Sequence, residues 1–506
     1  MQRSFLLVAA LIACAARDAR GSGFTVCTIS FQGPEEVAEF RANLSPANFE
    51  MVALAPSRPA EGETGGRSWL MQTCRREQRC DVLVVSGEFG GRYFGAAPFS
   101  LGLQELEEAS CDPACDGLFR DPVEVFLLAC NTLATKDQDS RTPGDYLRVL
   151  LDHGFDQAMA ERVVQIRYGP VGPSFRESTR RIFSGVPRIY GFSSVAPRGA
   201  TTAPMLDRYF ASVGDYAAYL ARTGRSSAPN TRLRTAFAGT SLVQATGLQP
   251  GEPGSSDRAL VCELYDEGRS VDARLRTAAA IMARDDFLRF LPTMQVFLGR
   301  HPSKTFTPGE AAVFATMRDR SSARDDVLRL AHELDVSALK LEVAHFAAEM
   351  GWITAGEFRA LARSGARELL AQPLTSEHVD IECEIAKHER VGDVIRSEDL
   401  SSQLFVNAEG LRMVDCLAPA DPRVTPRLAA ALDDADPSTR AWAAHALSRR
   451  LPLDEKTLLR LAAHLGDQSV EVRERVRWIM TTERRLPLSV VVAVRRHDPE
   501  LGRRLK

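Results

Sequence analysis

The segment Pro122–Ala134, with the sequence PVEVFLLACNTLA, is the feature that most restricts how this chain can fold. It is a short run of apolar and aromatic residues that stops at Cys130-Asn131-Thr132. Such a run predicts a parallel strand that is buried on both faces. Ligands of open α/β sheets bind beyond the carboxyl ends of the strands. Cys130 is therefore predicted either to lie at a functional site or to be a small hydrophobic residue of the core.

Short apolar runs alternate with amphipathic stretches from residue 24 to about residue 199. This alternation is typical of βαβ units, whose right-handed crossovers give a mainly parallel sheet between layers of helices. The predicted strands are Phe24–Ser30, Phe49–Leu54, Asp81–Ser86, Val123–Ala129 and Arg188–Ser193. The predicted helices between them include Glu35–Asn43, Trp69–Arg76, Pro143–His153 and Ala158–Ile166.

A chain of 506 residues is too long for a single compact core, so we expect several domains. The segment Gln249–Asp257, QPGEPGSSD, has no apolar periodicity and is predicted to be a linker. It would separate an α/β domain at residues 24–248 from an all-α part. That part divides into a helical region at 258–420 and a repeated region at 421–506.

An internal repeat marks the last region, where Leu432–Arg440 and Leu465–Arg473 are similar segments 33 residues apart. The repeat resembles the short HEAT type, in which a turn Asp and an Arg opening the second helix hold fixed places. Those places are occupied by Asp434 and Asp467 and by Arg440 and Arg473. The resemblance implies an α-helical solenoid, which either presents a surface to another macromolecule or packs on the N-terminal domain.

The amino terminus resembles a secretory signal peptide at residues 1–20, with an apolar run at Phe5–Ala13. Leu11–Cys14 resembles a bacterial lipobox, which implies that Cys14 is lipidated; ordinary signal cleavage is the alternative. We therefore expect an exported protein of the bacterial periplasm or cell envelope. Membrane attachment is expected only through the N-terminal lipid anchor.

The charge of the chain argues against one class of partner, and its cysteines suggest disulfides. With 63 Lys+Arg against 66 Asp+Glu, the net charge of -3 gives no electrostatic reason to expect nucleic acid. An oxidising compartment permits disulfides, and close spacing suggests the pairs Cys74/Cys80, Cys111/Cys115 and Cys383/Cys416. A zinc site at Cys111–Cys115 has no second ligand pair nearby, so we predict no metal and no cofactor.

Two strand ends, VLVVSGEFGG and VFLLACNTLA, resemble those of the caspase-like cysteine peptidases, the clan CD group that includes clostripain, gingipain, separase and the CHAT domains. The resemblance covers about residues 24–210. It implies that Cys130, in a pattern close to the Ala-Cys-x-Thr of CHAT domains, holds the nucleophile position. The family's histidine base should stand at the end of the preceding strand. Glu88, 42 residues before Cys130, occupies that place instead.

A solvated carboxylate is a poor substitute for imidazole as the base of a thiol, and its charge disfavours the thiolate. His153 is predicted to end a helix that runs away from the site. Two alternatives are a Glu88 that burial keeps protonated and a histidine from the helical region, such as His301 or His332. Arg167–Pro170 and Tyr190–Ser194 are predicted near the cleft, as pocket or as packing residues.

The sequence therefore predicts a caspase-like peptidase homologue with impaired catalysis that binds a protein partner or polypeptide substrate through its cleft and its HEAT-like repeats. An active cysteine endopeptidase with Cys130 as nucleophile is the alternative. A structural envelope component, in which Cys130 is oxidised or buried, is the third hypothesis.

Overall fold

The computed structural model describes residues 23–32, 34–56, 66–94, 100–136, 142–152, 155, 157–334, 337–370, 379, 402–417, 421–483 and 485–505. The chain divides into two compact units, Met1–Asp319 and Arg320–Lys506. The predicted signal peptide and Cys14 lie outside the described residues. In the described part of the chain, no helix is long and apolar enough to cross a membrane.

The first unit is built on a six-stranded, mostly parallel sheet with the strand order β2-β1-β3-β7-β8-β9. Only β9 pairs antiparallel to its neighbour. The strands are β1 (Phe24–Ser30), β2 (Phe49–Ala53), β3 (Val82–Ser86), β7 (Glu124–Leu128), β8 (Arg188–Phe192) and β9 (Leu242–Ala245). The five strands predicted from the sequence are confirmed to within a residue at each end. The antiparallel edge strand β9 was not predicted.

The three central strands are buried along their whole length, which confirms that both faces of the sheet are covered. Most of their residues are apolar, β-branched or aromatic, as burial on both faces requires. The exceptions include Glu124 and Arg188, which pair with each other at 2.8 Å. Tyr190 and Tyr216 also donate hydrogen bonds to the Glu124 carboxylate, so this buried charge has several partners.

Helices cover the sheet, and the first of them packs against the long helix that follows β8. The helices of this unit are α1 (Pro34–Asn43), α2 (Gly66–Arg75), α3 (Leu103–Cys111), α4 (Asp116–Phe119), α5 (Pro143–Asp152), α6 (Gln157–Tyr168), α7 (Phe175–Ile182), α8 (Gly199–Val213), α9 (Tyr216–Thr223), α10 (Thr231–Ala236), α11 (Ser255–Tyr265), α12 (Val271–Met282), α13 (Leu291–Arg300) and α14 (Pro308–Arg318).

The predicted linker Gln249–Asp257 does not separate two compact units. Helix α11 already begins at Ser255, and Asp257 is buried and paired with Arg284 at 3.1 Å. A disulfide between Cys111 and Cys262 joins α3 to α11. The helices up to α14 therefore belong to the same compact unit as the sheet, and the division falls at residues 319 and 320.

Three disulfides replace the predicted local pairs Cys74/Cys80 and Cys111/Cys115, which are wrong. The observed pairs are Cys27–Cys80, Cys74–Cys115 and Cys111–Cys262. Spacing along the chain gave the wrong partners because Cys80 stands just before β3, which pairs with the strand that carries Cys27, and Cys111 ends its helix against α11. Cys416 is also disulfide-bonded, and its predicted partner Cys383 lies outside the described residues.

The second unit is helical throughout the residues that the structure describes. Its helices are α15 (Ser321–Glu333), α16 (Ser337–Glu349), α17 (Ala355–Leu370), α18 (Ala408–Leu417), α19 (Val424–Ala431), α20 (Pro437–Ser448), α21 (Glu455–Ala463), α22 (Val470–Thr482), α23 (Leu488–His497) and α24 (Pro499–Arg504). Helices α18, α20 and α22 pack in a row, and so do α19, α21 and α23. The predicted repeat is thus a repeat of helix pairs.

The two repeat arginines make the same contacts 33 residues apart. Arg440 donates to the backbone carbonyls of Asp434 and Ala435, and Arg473 donates to those of Asp467 and Gln468. Arg440 also binds both carboxylate oxygens of Asp467, at 2.8 and 2.9 Å. The 33-residue spacing therefore has a structural cause. Arg440 binds the backbone of the turn in its own repeat and also the carboxylate of Asp467 in the turn of the next repeat.

Candidate functional site

Glu88 and Cys130 follow the carboxyl ends of adjacent strands, and the charge of Glu88 acts on the Cys130 thiol. Strands β3 and β7 are parallel, and their last paired residues are Ser86 and Leu128. Glu88 and Cys130 each follow two residues later. The structure therefore brings together the two site residues predicted from the sequence, at the sheet edge where α/β folds bind ligands.

A small second sheet holds Glu88 in place. Strand β4 (Glu88–Phe89) pairs with β5 (Arg92–Phe94), which pairs with β6 (Leu101–Gly102). Gly87 permits the turn from β3 into β4, because a Cβ there would lie 2.8 Å from the Phe31 Cβ atom and 2.9 Å from the Phe94 carbonyl oxygen. These strands of two or three residues are too short for a periodic sequence signal, so they were not predicted.

The chain turns sharply after Cys130. Asn131 has a φ of 60°, in the left-handed region that few residues other than glycine adopt. Its backbone N–H donates to the Ser194 carbonyl at 2.8 Å, which ties the turn to the end of β8. Gly191 in β8 allows this close approach, because a Cβ there would lie 2.5 Å from Thr132 Oγ1.

Buried polar side chains hold this turn. Arg167 of α6 donates to Asn131 Oδ1 at 3.1 Å and to the Ser193 carbonyl at 3.3 Å. The Tyr146 hydroxyl of α5 donates to the same Asn131 oxygen, and the Arg167 guanidinium lies 4.2 Å from the centre of the Tyr146 ring. Of the two segments predicted near the cleft, Arg167 and Ser194 thus contact the turn directly, and their contacts are structural.

The Cys130 thiol is buried and held in its neutral form. Among the cysteines that the structure describes, Cys130 alone is outside a disulfide, and it is 5% exposed. Burial, with a smaller contribution from the charge of Glu88, raises its pKa to about 12. The Ala196 backbone N–H, 3.2 Å from the sulfur, acts in the opposite direction. Burial outweighs this hydrogen bond, so the thiolate is scarce at neutral pH.

Burial also raises the pKa of two carboxyl groups at this end of the sheet, Glu88 and Glu36. Burial raises the pKa of Glu88, while the positive charge of Arg198 opposes the shift. Burial raises the pKa of Glu36 to about 7, against hydrogen bonds with Ser86 and Thr202 that lower it. Glu36, Ala196 and Arg198 were not predicted, because nothing in the local sequence of α1 or of the loop before α8 indicates that they reach the ends of β3 and β7.

No described histidine of the first unit stands at this site. His153 lies outside the described residues. His301 ends α13, where its ring contacts Phe297 and its charged neighbours are Arg274, Arg300, Glu267 and Glu310. His332 belongs to the second unit, and its position relative to Cys130 stays a prediction.

The described residues contain no group of three or more His, Cys, Asp or Glu side chains suited to a metal ion.

A cavity of about 310 Å³ lies at the opposite end of the strands, lined by Asp116, Arg120, Asp121, Ser184, Gly185 and Arg225. Arg225 there donates to the backbone carbonyls of Arg120, Asp121 and Gly185, which indicates a structural role.

No protein-family model, curated protein or solved structure matches this chain.

Proposed function

We propose that this protein is an exported caspase-like peptidase homologue of the CHAT type whose catalysis is impaired. It binds protein partners through its cleft and its HEAT-like repeats. The observation that carries the proposal is the position of Glu88, which follows the strand adjacent to that of Cys130 and raises the pKa of its thiol. In the family that the strand ends resemble, a histidine would stand there.

The chemistry of the site supports impaired catalysis. A cysteine nucleophile reacts as the thiolate, which a neighbouring base, a cation or a helix N-terminus usually stabilises. Here burial and the Glu88 carboxylate both raise the thiol pKa, to about 12. A leaving amine also needs a proton, and a carboxyl group, Glu88, stands where the family's histidine would supply it.

Three disulfides in the first unit support an exported location, because such bonds persist in oxidising compartments. The bacterial periplasm or cell envelope and lipidation at Cys14 remain part of the proposal. A protein partner follows from the fold and the repeats, since stacked helical repeats present extended surfaces to other macromolecules.

A peptide-like electrophile tests the proposal. The full-length protein, with disulfides intact, is treated with a panel of peptidyl acyloxymethyl ketones and analysed by mass spectrometry. We expect no stoichiometric adduct at Cys130 at pH 7.5. Stoichiometric labelling that Cys130→Ala abolishes would overturn the claim of impaired catalysis.

One observation favours the second candidate, an active cysteine endopeptidase. Cys130 is not in a disulfide, and a backbone N–H donates to its sulfur, which is an arrangement that stabilises a thiolate. Turnover of a diverse peptide library under reducing conditions, lost in Cys130→Ala, would establish this candidate. Absence of turnover, with or without calcium, supports the impaired homologue.

A further inference from the structure

Helix α23 presents aliphatic and positively charged side chains on one exposed face. Leu488 is 78% exposed and Val492 is 58% exposed, and the two are four residues apart on the helix. Arg495 and Arg496, three and four residues after Val492, are exposed as well. Residues three or four apart lie on the same side of a helix. Together with the exposed Arg503 of α24, which packs on α23, we name these five residues the α23 surface.

Positive charge is in excess in this part of the chain. Residues 485–505 carry five arginines and two carboxylates. Both carboxylates have arginine partners, since Asp498 is buried and lies 2.8 Å from Arg477, and Glu500 lies 2.6 Å from Arg504. The negative charges of this segment are therefore already compensated by arginines outside the α23 surface.

The arginines of the α23 surface have no such partner. In the part of the chain that the structure describes, no carboxylate pairs with Arg495, Arg496 or Arg503. Arg495 donates to the Gly502 backbone carbonyl at 3.1 Å, which leaves its charge uncompensated. The C-terminal end of α23 therefore carries a net positive charge.

The acidic residues of the neighbouring helix α21 lie at the other end of α23. Ser489 donates to the carboxylate of Glu455, so α21 and α23 begin side by side. Asp454 and Glu455 at this end are matched in number by the exposed Lys456 and Arg485. The starts of the two helices are therefore balanced in charge, and the excess lies at the C-terminal end.

The carboxylates near the C-terminal end of α21 have partners of their own. Asp433 lies 2.7 Å from Arg460 and 3.1 Å from His464 Nε2. Asp467 lies 2.8 Å from Arg440 and 3.1 Å from His464 Nδ1. These two carboxylates are therefore occupied by side chains other than those of the α23 surface.

The exposure of the aliphatic side chains distinguishes between two classes of anionic partner. A side chain that is 78% exposed, as Leu488 is, projects into solvent and does not line a groove. Residues that dominate the binding energy between proteins lie in well-packed, desolvated pockets. A bilayer interface instead accepts projecting aliphatic side chains, while arginines beside them reach the lipid phosphates. The α23 surface therefore fits a membrane better than a polypeptide.

We propose that the α23 surface binds the headgroup region of a membrane rich in anionic lipid. Leu488 and Val492 enter the interface, and Arg495, Arg496 and Arg503 bind lipid phosphates. The contact is additional to the proposed N-terminal lipid anchor, and an acyl chain combined with a basic patch anchors more stably than either alone. This inference goes beyond the proposed function and does not depend on the chemistry of the cleft.

The test measures cosedimentation of the full-length protein with lipid vesicles, in a Cys14→Ser background so that no acyl chain contributes. One set of vesicles contains phosphatidylcholine alone, and the other contains phosphatidylcholine and phosphatidylglycerol in equal amounts. At about 0.1 M salt we expect at least about tenfold stronger binding to the mixed vesicles. This preference should decrease at about 0.5 M salt, because salt screens the attraction between exposed charges.

Two variants of the α23 surface should weaken binding to the mixed vesicles. Arg496→Gln/Arg503→Gln should do so at least about tenfold, because two arginines that contact anionic lipid are lost. Val492→Ser should do so at least about threefold, because an aliphatic side chain no longer enters the interface.

Two matched controls lie elsewhere in the second unit. Arg324→Gln/Arg329→Gln removes two exposed arginines from α15, where carboxylates stand beside them. Val406→Ser removes an aliphatic side chain that is 61% exposed and precedes α18. Both controls should leave the affinity for the mixed vesicles within about twofold.

Equal binding to the two kinds of vesicle would overturn the proposal, as would losses in the α23 variants no larger than those in the controls. Binding of a glutamate–tyrosine copolymer or of a single-stranded oligothymidylate that Arg496→Gln/Arg503→Gln weakens more than it weakens vesicle binding would also overturn it. Labelling of Cys130 by an electrophile is a separate measurement. Failure of the membrane proposal would therefore leave the proposed function unchanged, and the reverse is also true.

Discussion

Glu88 and Cys130 each stand two residues beyond the paired ends of β3 and β7, and the carboxylate of Glu88 raises the pKa of the Cys130 thiol. A histidine in the place of Glu88 would reverse this effect, because imidazole accepts the thiol proton and imidazolium stabilises the thiolate. In the proposed function, the carboxyl group of Glu88 therefore stands where the histidine of a catalytic pair would be.

Replacing Glu88 by histidine should make Cys130 more reactive. We expect Glu88→His to increase the rate of Cys130 alkylation by iodoacetamide at pH 7.5 by at least about tenfold, because the pKa of the thiol should fall by at least about one unit. Glu88→Gln is the matched control, since it removes the charge and supplies no base. Equal rates in the two variants would show that imidazole at this position does not activate Cys130.

Glu36 should make the stability of the protein depend on pH. Its pKa is raised from 4.5 to about 7 in the folded state, so the folded protein holds a proton that the unfolded chain has lost between these values. The free energy of unfolding should therefore fall as the pH rises from about 4.5 to about 7, by roughly 3 kcal/mol at most. Glu36→Gln should lack this decrease, as measured by chemical denaturation at several pH values. The same pH profile in wild type and variant would contradict the assignment.

The sequence was sufficient for much of this fold. The run that ends at Cys130 and the four other apolar runs are long enough to fix the strands, and the Arg440 and Arg473 signature identifies the repeat. The remainder depends on contacts between distant parts of the chain. Disulfide partners, the short strand at Glu88 and the approach of Ala196 to Cys130 leave no local periodicity, so only the folded structure gives them.

The Cys111–Cys262 disulfide should stabilise the first unit as a whole. It closes a sequence separation of 151 residues and joins α3 to α11, so its removal frees a large loop in the unfolded chain. The double variant Cys111→Ser/Cys262→Ser should lose about 3–5 kcal/mol of stability. Cys130→Ser is the control, because this cysteine is unpaired, and it should lose far less. Peptide mapping that instead finds Cys111 bonded to Cys115 would contradict the structure.

The contact between Arg440 and Asp467 should stabilise the repeats. Both side chains are largely buried, and Arg440 lowers the pKa of Asp467 well below its usual range. Asp467→Asn should cost about 2 kcal/mol or more, and the contribution of this pair should be lost as the pH falls below about 4. Asp433→Asn is the matched control, since Asp433 is half-exposed and should cost less than about 1 kcal/mol. Similar losses in the two variants would argue against a special role for Asp467.

The pKa of the Cys130 thiol tests the central claim most directly. The rate of Cys130 alkylation by iodoacetamide is measured from pH 6 to pH 10 by mass spectrometry on the full-length, disulfide-bonded protein, with Cys130→Ser as the blank. With a pKa of about 12, the rate should rise about tenfold for each pH unit and should not level off by pH 10. At pH 7.5 it should be about a thousandfold below that of an ordinary exposed thiol. A rate that levels off with a midpoint at or below about pH 8.5 would contradict the account and identify Cys130 as an activated nucleophile.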